Sequence, residues 1–180
     1  AMGGDGGIDI TLPASVQVLN DKPDLSILLV GDGSRMRPLV SAAPANVRER
    51  LKLVHSDAVL GDAERPVNVL RSCKQSSMYL AVELVKTGTA QAMVSAGNTG
   101  ALLMIGRHLM KTIQGIQKPA IVTTIPGASR QSFLLDVGAN PYCSARQLFE
   151  FAVMGSVLAE SLHGEKATVG LLNIGSEQYK

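Results

Sequence analysis

The sequence predicts an α/β protein with a mostly parallel, doubly wound sheet in a three-layer α/β/α arrangement. Short apolar runs alternate with helical patterns along the chain, and a glycine-containing or polar loop follows most of these runs. Continuous apolar runs are typical of strands that are buried on both faces of a parallel sheet. The alternation of strand and helix favours the doubly wound topology, in which ligands bind beyond the carboxyl ends of the strands.

Six apolar runs are predicted to be strands. The loops that follow them carry GDGS, HSD, SAGNTG, GAN and NIGS, so the polar residues cluster at the predicted carboxyl ends. The predicted strands cover residues 26–30, 51–54, 92–94, 120–125, 133–137 and 168–172.

Four helices are predicted from apolar spacing and from their end signals. Pro13 suits the first turn of a helix, and Gly88 and Gly164 suit the position just after a helix ends. Asn98 or Thr99 is a suitable N-terminal cap. The predicted helices cover residues 13–20, residues 68–86, a segment from residue 98 or 99 toward Met110, and a segment capped by Ser144 that reaches about Leu162.

The composition favours a folded protein that binds a small ligand. Of the 180 residues, 46% are hydrophobic and 18% are charged, so apolar burial can offset the entropy of ordering the chain. The chain has three Phe, three Tyr and no Trp, which argues against aromatic stacking on single-stranded nucleic acid. A net charge of +2 without a basic run argues against a duplex-binding face but fits a small anion.

The sequence also indicates a reducing, cytoplasmic location without a metal or cofactor. Cys73 and Cys143 form no disulfide framework. No apolar stretch approaches the roughly 20 residues of a membrane span, and the N-terminus lacks a signal-peptide pattern. The three histidines lack the spacing of metal ligands.

The strongest local feature is the SAGNTG loop at residues 95–100, between a predicted strand and a predicted helix. Small residues let backbone N–H groups approach an anion, and a helix N-terminus adds positive partial charge. Ser95, Asn98 and Thr99 offer further hydrogen bonds. The loop is neither a Walker loop nor a GxGxxG fingerprint. An ordinary tight turn with a helix cap is the alternative.

A second feature lies on the predicted 68–86 helix. Lys74 falls within the apolar arc of that helix and Arg71 falls at its border, three residues away. Both side chains can then reach one anion. A phosphate would explain a lysine on a core-facing arc, and an ion pair or a snorkelling side chain is the alternative.

Three other loops supply acceptors and donors that could line the same cleft. Taken one at a time, these residues are typical of turns and caps. Cys73 is expected to be a buried, inert thiol, whereas Cys143 lies near a helix start, where a nucleophilic thiol is an alternative role. The loops contribute Gly4 with Asp5, Asp136 with Asn140, and Asn173 with Glu177.

Five motifs together resemble one family. They are AMGGD, RxxKQSSM at residues 71–78, VSAGNTGAL, LLDVGANPYC and GLLNIGSEQ, in this order. The chain resembles the PlsX-type phosphate acyltransferases of bacterial fatty-acid and phospholipid synthesis. The resemblance implies a fold similar to phosphotransacetylases and isocitrate/isopropylmalate dehydrogenases. It also implies that inorganic phosphate attacks the thioester of acyl–acyl carrier protein, giving acyl phosphate and free carrier protein.

The chain departs from the family pattern at two places. Gly6-Gly7-Ile8 stands where the family has Phe-Gly-Pro, and Tyr142 stands where an acidic residue usually precedes the cysteine. Because the family is close to twice this length, residues 1–180 are expected to be a single α/β domain. That domain is expected to be the N-terminal half of a longer enzyme, incomplete at both ends. Members are cytosolic homodimers with peripheral membrane contact, here through segments outside this chain.

The resemblance implies roles for named residues. Arg71, Lys74 and Asn98 are the expected catalytic residues, the first two neutralising phosphate charge. A phosphotransacetylase that uses acyl-coenzyme A, a covalent acyl-enzyme at Cys143, and a non-catalytic phosphate- or nucleotide-binding module are the alternatives. The expected phosphate- or substrate-binding residues are Gly4, Asp5, Ser77, Ser95, Gly97, Thr99, Gly100, Asp136, Asn140, Asn173 and Glu177.

Overall fold

The computed structural model describes residues 1–61, 69–70 and 73–173. The chain divides into two compact units, Ala1–Lys111 and Thr112–Lys180. Among the described residues, the first unit contains several helices and a pair of strands and the second contains one long helix and a pair of strands, so the predicted α/β class is confirmed. Their organisation as one domain stays a prediction. Among the described residues, no helix combines the length and the apolar character needed to cross a bilayer.

The first unit is built around a parallel pair of strands. Ile27 lies opposite Leu51, and Gly31 lies opposite His55. Because the strands are parallel, the loops after Gly31 and His55 leave the sheet at the same edge. Both strands lie within one residue of their predicted bounds. The elements are α1 (Gly7–Asp21), β1 (Ile27–Gly31), α2 (Gly33–Ser41), α3 (Ala45–Arg48), β2 (Leu51–His55), α4 (Ser77–Lys86) and α5 (Thr99–Met110).

Two aliphatic clusters form the core of this unit. One lies between α1, α2, α3 and the two strands and includes Leu12, Leu29 and Met36. The other joins α4 to α5, where Met78 and Val82 pack with apolar residues of the facing helix. Burial at four-residue intervals is what the helical repeat requires of two helices packed along one face. Cys73 is fully buried in the second cluster, as the sequence predicted.

Helix α1 begins earlier than predicted. It starts at Gly7, so Pro13 lies inside the helix, and its predicted first-turn position is wrong. The N–H of Gly7 donates to the carbonyl of Gly4 at 3.1 Å and begins the turn. Because proline has no backbone N–H, Pro13 cannot donate a hydrogen bond to the carbonyl four residues before it, that of Asp9. Asp9 and Pro13 are both exposed, so water can take the missing donor's place.

Helix α4 begins later than predicted. Ser76 caps it by accepting a hydrogen bond from the N–H of Tyr79 at 3.2 Å. The Ser76 hydroxyl also donates to the carbonyl of Cys73 at 2.7 Å, which closes a turn before the helix. The expected continuous helix over 68–86 is therefore wrong. Lys74 lies in that turn and is exposed, not on a helical apolar arc, and Arg71 lies outside the described residues.

Two predicted strands are absent from the described part of the chain. Residues 92–94 and 168–172 form no strand. Val94 is 98% exposed, so the apolar run there is not buried. An apolar run becomes a strand only where a neighbour completes its backbone hydrogen bonds, and neither run has a strand partner among these residues.

The second unit contains an antiparallel hairpin and a long helix. The strands are β3 (Val122–Pro126) and β4 (Gln131–Leu135), with Val122 opposite Leu135. Each of their ends lies one or two residues from the predicted end, and the strands pair within a hairpin rather than in a parallel crossover. The helix is α6 (Ala145–His163).

The predicted helix caps at two positions are confirmed. Asn98 caps α5, and its side-chain oxygen accepts a hydrogen bond from the N–H of Ala101. Ser144 caps α6 in a reciprocal capping box with Gln147. Gly164 ends α6 in the left-handed region with φ +70°, where glycine carries no steric penalty.

Candidate anion-binding site

An open cavity of about 450 Å³, the glycine cavity, lies in the first unit. Two segments line it, one from the chain's first residues and one from the SAGNTG loop. Six of the predicted site residues are thereby brought together. The lining residues are Gly4, Asp5, Ala96, Gly97, Asn98, Thr99 and Gly100.

The two segments approach each other through their backbones. A methyl group built on Gly3 would stand 2.8 Å from the Cα of Gly97 and 3.1 Å from its nitrogen. Gly4 has φ +84°, and a methyl group on it would stand 3.0 Å from both Cβ and O of Ala96. Side chains at these positions would push the segments apart, so the glycines are required for the close approach.

The wall formed by residues 95–100 presents backbone donors. The Asn98 side chain accepts from the N–H of Ala101 at 2.9 Å and fixes the start of α5. The Ser95 hydroxyl accepts from the N–H of Gly97 at 3.2 Å and shapes the turn before it. The first N–H groups of a helix have no partner inside the helix and carry the positive end of its dipole. Thr99 and Gly100 therefore place such groups at the cavity, where they suit an anion.

Among the described residues that line the cavity, Asp5 is the one with an ionisable side chain. A phosphate beside a carboxylate needs positive charge nearby, because like charges at short range repel. The sequence assigns that charge to Arg71 and Lys74. Lys74 lies in the exposed turn before α4, and Arg71 lies outside the described residues.

The end of the RxxKQSSM motif reaches the cavity loop through Met78. Its Cε would stand 3.1 Å from a methyl group built on Gly97. The preceding residues are attached to the loop after β2, since the N–H of Ser77 donates to the carbonyl of Ala58 at 2.9 Å and Ser56 Oγ donates to the carbonyl of Gln75 at 2.8 Å. Ser77 is 7% exposed and is not among the lining residues.

The loops after β1 and β2 are held by local contacts. The N–H of Gly33 donates to Nδ1 of His55 at 3.0 Å, so Nε2 carries the proton and donates to Asp57 at 2.8 Å. The Ser34 hydroxyl donates to Asp32 and holds the pKa of that carboxyl below its ordinary value. Both ring nitrogens of His55 therefore have partners within the two loops. No three His, Cys, Asp or Glu side chains form a metal-binding group in the described parts of the chain.

In the second unit, Asp136 and Asn140 contact each other. The carboxylate of Asp136 accepts from the backbone N–H of Asn140 at 2.7 Å, from its side-chain nitrogen at 3.1 Å and from the N–H of Ile121 at 2.8 Å. These bonds hold the loop after β4 in one conformation. Asn173 is exposed, and Glu177 lies outside the described residues.

Cys143 lies beside the same loop. It is partly buried, and its Sγ donates to the carbonyl of Asn140 at 3.5 Å. This contact orients the thiol toward a backbone acceptor. The described residues supply no general base bonded to the sulfur.

Sequence reasoning missed two residues of the site. Ala96 lines the cavity, and Met78 Cε lies next to Gly97 of the cavity loop. Both lie inside motifs that the sequence singled out. Ala96 offers no polar side chain, and an interior methionine is typical of packing, so only their three-dimensional contacts reveal their part in the site.

Comparison with known proteins identifies the family. The family described as "Fatty acid synthesis protein" matches residues 1–180. The chain is 49% identical over 182 aligned residues to the phosphate acyltransferase of Shewanella loihica, and 50% identical over 183 to that of Shewanella halifaxensis. It is 47% identical over 180 residues to the phosphate acyltransferase of Pseudomonas paraeruginosa.

These alignments cover 100% of this chain and 53–54% of each relative. The chain therefore spans about half the length of the curated relatives that it matches. The match along all of residues 1–180 agrees with the motif resemblance. The chain belongs to the fatty acid synthesis protein family, that of the PlsX-type phosphate acyltransferases.

Proposed function

We propose that this chain carries the phosphate-binding part of an acyltransferase that converts acyl–acyl carrier protein and inorganic phosphate to acyl phosphate and free carrier protein. The observation that carries the proposal is the glycine cavity, in which Gly4 and residues 97–100 present backbone at the start of α5. Helix N-termini with glycine-rich loops suit phosphate oxygens. The names of the relatives support the same activity.

The reaction needs no protein nucleophile. An oxygen of hydrogen phosphate attacks the thioester carbonyl carbon, and a tetrahedral oxyanion forms. The carbon–sulfur bond then breaks, and the proton of hydrogen phosphate ends on the released thiol. The protein's task is to hold the two reactants in line and to stabilise the oxyanion with fixed donors.

The roles follow from charge and position. Arg71 and Lys74 neutralise phosphate, the N–H groups of Thr99 and Gly100 bind its oxygens or the oxyanion, and Gly97 lets the substrate approach the backbone closely. Asn98 fixes those donors by capping α5 at 2.9 Å. The remaining assigned residues position substrates or loops. They are Gly4, Asp5, Ser77, Ser95, Asp136, Asn140, Asn173 and Glu177.

The finer architecture and the assembly belong to the same proposal. The parallel pair β1–β2 with helices along the chain supports a three-layer, mostly parallel, doubly wound fold similar to phosphotransacetylases. The family resemblance supports a cytoplasmic homodimer with peripheral membrane contact through segments outside this chain. Light scattering and vesicle flotation of the whole protein would test the last two features.

The direct test of function is chemical trapping of the product. The chain is incubated with phosphate and acyl–acyl carrier protein, and acyl phosphate is trapped with hydroxylamine as the hydroxamate. Phosphate-dependent hydroxamate supports the proposal. In parallel, acyl-coenzyme A is offered as the acyl donor. A higher rate with acyl-coenzyme A than with acyl–acyl carrier protein would show that coenzyme A, not the carrier protein, carries the acyl group.

Because the chain spans about half of its relatives, phosphate binding is measured as well by titration calorimetry. Thr99→Val removes a hydroxyl at the cavity, and Thr89→Val removes one at an exposed site. We expect phosphate affinity to fall about tenfold in the first variant and to stay unchanged in the second. Absence of phosphate binding by the unmodified chain would overturn the proposal.

A further inference from the structure

Met78 touches the middle of the cavity loop from outside the cavity. A methyl group built on Gly97 would stand 3.1 Å from Met78 Cε and 3.6 Å from the Cα of Gly3. The third near atom is Ser95 Oγ, also at 3.6 Å, so of these three neighbours only Met78 comes from outside the two segments that line the cavity. Met78 is not among the residues that line the cavity, so any effect that it has on the cavity passes through Gly97 or through α5.

The position of Met78 is itself fixed by the core. It is 8% exposed and belongs to the cluster that joins α4 to α5. Its partners in that cluster include Ala101 and Ile105 of α5, the helix that begins at the cavity. The same packing therefore holds the helix N-terminus and the side chain that touches Gly97. Buried side chains in close-packed clusters transmit such constraints because they have little room to move.

We infer that Met78 is a positioning residue of the glycine cavity, holding Gly97 so that the N–H groups of Thr99 and Gly100 keep the geometry that an anion requires. The inference rests on the proposed phosphate site. Fixed donors bind an oxyanion without reorganising, whereas a displaced donor loses much of its effect. A displacement near 1 Å is enough to weaken such a site by about tenfold or more.

The test compares two truncations in one helix. Met78→Ala and Val82→Ala both remove a buried apolar side chain of α4 from the same cluster, and both are expected to lower the free energy of unfolding. Met78 Cε is the atom nearest to a methyl group built on Gly97, and no atom of Val82 is among the three nearest. Phosphate affinity by calorimetry should fall about tenfold in Met78→Ala and stay within about twofold in Val82→Ala.

A conservative variant separates positioning from packing. Met78→Leu keeps the core volume but lacks the terminal methyl that reaches Gly97. We expect it to recover most of the stability while phosphate affinity stays reduced. Phosphate affinity of Met78→Ala within twofold of the unmodified chain, or equal losses in the Met78 and Val82 truncations, would overturn the inference.

Amide hydrogen exchange, measured without phosphate, tests whether Met78 holds the cavity loop. The amides of Ala96, Gly97 and Asn98 should exchange faster in Met78→Ala than in Val82→Ala, because only the first variant frees the loop. Equal exchange in both variants would contradict the inference. If the unmodified chain binds no phosphate, the proposed function fails, and the exchange result still decides whether Met78 holds the loop.

Discussion

Gly3 and Gly97 meet backbone to backbone, with the Cα of Gly97 only 2.8 Å from where a methyl group on Gly3 would stand. The two residues are far apart in sequence, and each lies in a separate glycine-containing motif. Their contact brings the first residues of the chain against the loop that begins α5. The glycine cavity exists because neither residue has a side chain.

Gly3→Ala is expected to damage both the fold and the anion site. The added methyl meets backbone atoms, which cannot rotate away, so the two segments must separate. We expect a loss of about 1–3 kcal/mol of unfolding free energy, as for other overpacked sites, together with weaker phosphate binding. Urea denaturation and calorimetry measure the two effects.

Gly61→Ala is the matched control for that substitution. A methyl group on Gly61 meets nothing within 4 Å. It should change neither stability nor phosphate affinity. Unchanged phosphate affinity in Gly3→Ala would show that the close approach does not shape the cavity.

Lys74→Met is expected to weaken phosphate binding with little effect on stability. Lys74 is exposed in the turn before α4, so its replacement opens no cavity in the core. The loss of one positive charge should raise the Kd for phosphate several-fold at low salt and less at high salt, where screening is stronger.

The control for Lys74 is Lys86→Met, an exposed lysine at the far end of α4. Each variant removes one charge from the same part of the chain. Equal effects of the two variants would mean that Lys74 acts only through net charge. An unchanged phosphate Kd in Lys74→Met would remove it from the site.

Arg50→Met is expected to destabilise the first unit. Its guanidinium donates to the carbonyls of Leu19, Lys22 and Leu25 at 2.6–2.9 Å, around the end of α1. These carbonyls lie where a helix leaves acceptors without partners. We expect a loss of about 2 kcal/mol in unfolding free energy, the scale for hydrogen bonds to a charged group.

Urea denaturation measures the Arg50 effect, with Arg35→Met as its control. Arg35 is exposed in α2, and its replacement should change stability by less than about 0.5 kcal/mol. Equal stability of the two variants would contradict the anchoring role of Arg50.

The ion pair between Arg130 and Glu165 predicts a pH dependence. The guanidinium donates to both carboxylate oxygens, at 2.5 and 3.1 Å, and the hydrogen bond and charge of Arg130 hold the pKa of Glu165 below its ordinary value of 4.5. A carboxyl with a depressed pKa in the folded state stabilises the fold above its unfolded pKa. That contribution should fade as the pH falls below about 4.5 and through the lower folded value.

The unfolding free energies of the unmodified chain and Glu165→Gln, compared between pH 6 and pH 3, measure this contribution. The difference should shrink toward low pH and also at high salt, because both groups are exposed. The pKa of Asp32 is also lowered, so its contribution to the unfolding free energy changes with pH in the same direction. Asp32 is present in both chains, and its contribution cancels in the difference. A difference that grows as the pH falls would contradict the assigned sign.

Much of the site's local structure was predictable from the sequence. The caps at Asn98 and Ser144 follow from side chains that accept backbone hydrogen bonds within three residues. The strands at β1 and β2 follow from short apolar runs. Local rules succeed at these places because the deciding contacts lie within one turn or one strand.

Predictions failed where distant contacts decide. The helix predicted over 68–86 begins only at Ser77. The Ser76 hydroxyl bonds to the carbonyl of Cys73, and Ser76 pairs with Ala58 in the loop after β2. Residues 92–94 have the composition of a strand but no strand partner in the described parts of the chain. Pro13 is accommodated inside α1 for a local reason, since it and Asp9 are exposed and water can bond the carbonyl that the proline leaves without a donor.

The sequence alone determined the α/β class, the family and the motifs whose residues line the glycine cavity. These depend on periodicity, on small residues and on side chains that cap helices, all of which act locally. Only the tertiary structure decided that Gly3 abuts Gly97, that Met78 lies next to the cavity loop and that Lys74 is exposed. Such contacts join residues far apart along the chain, and their geometry is set by packing that no local pattern encodes.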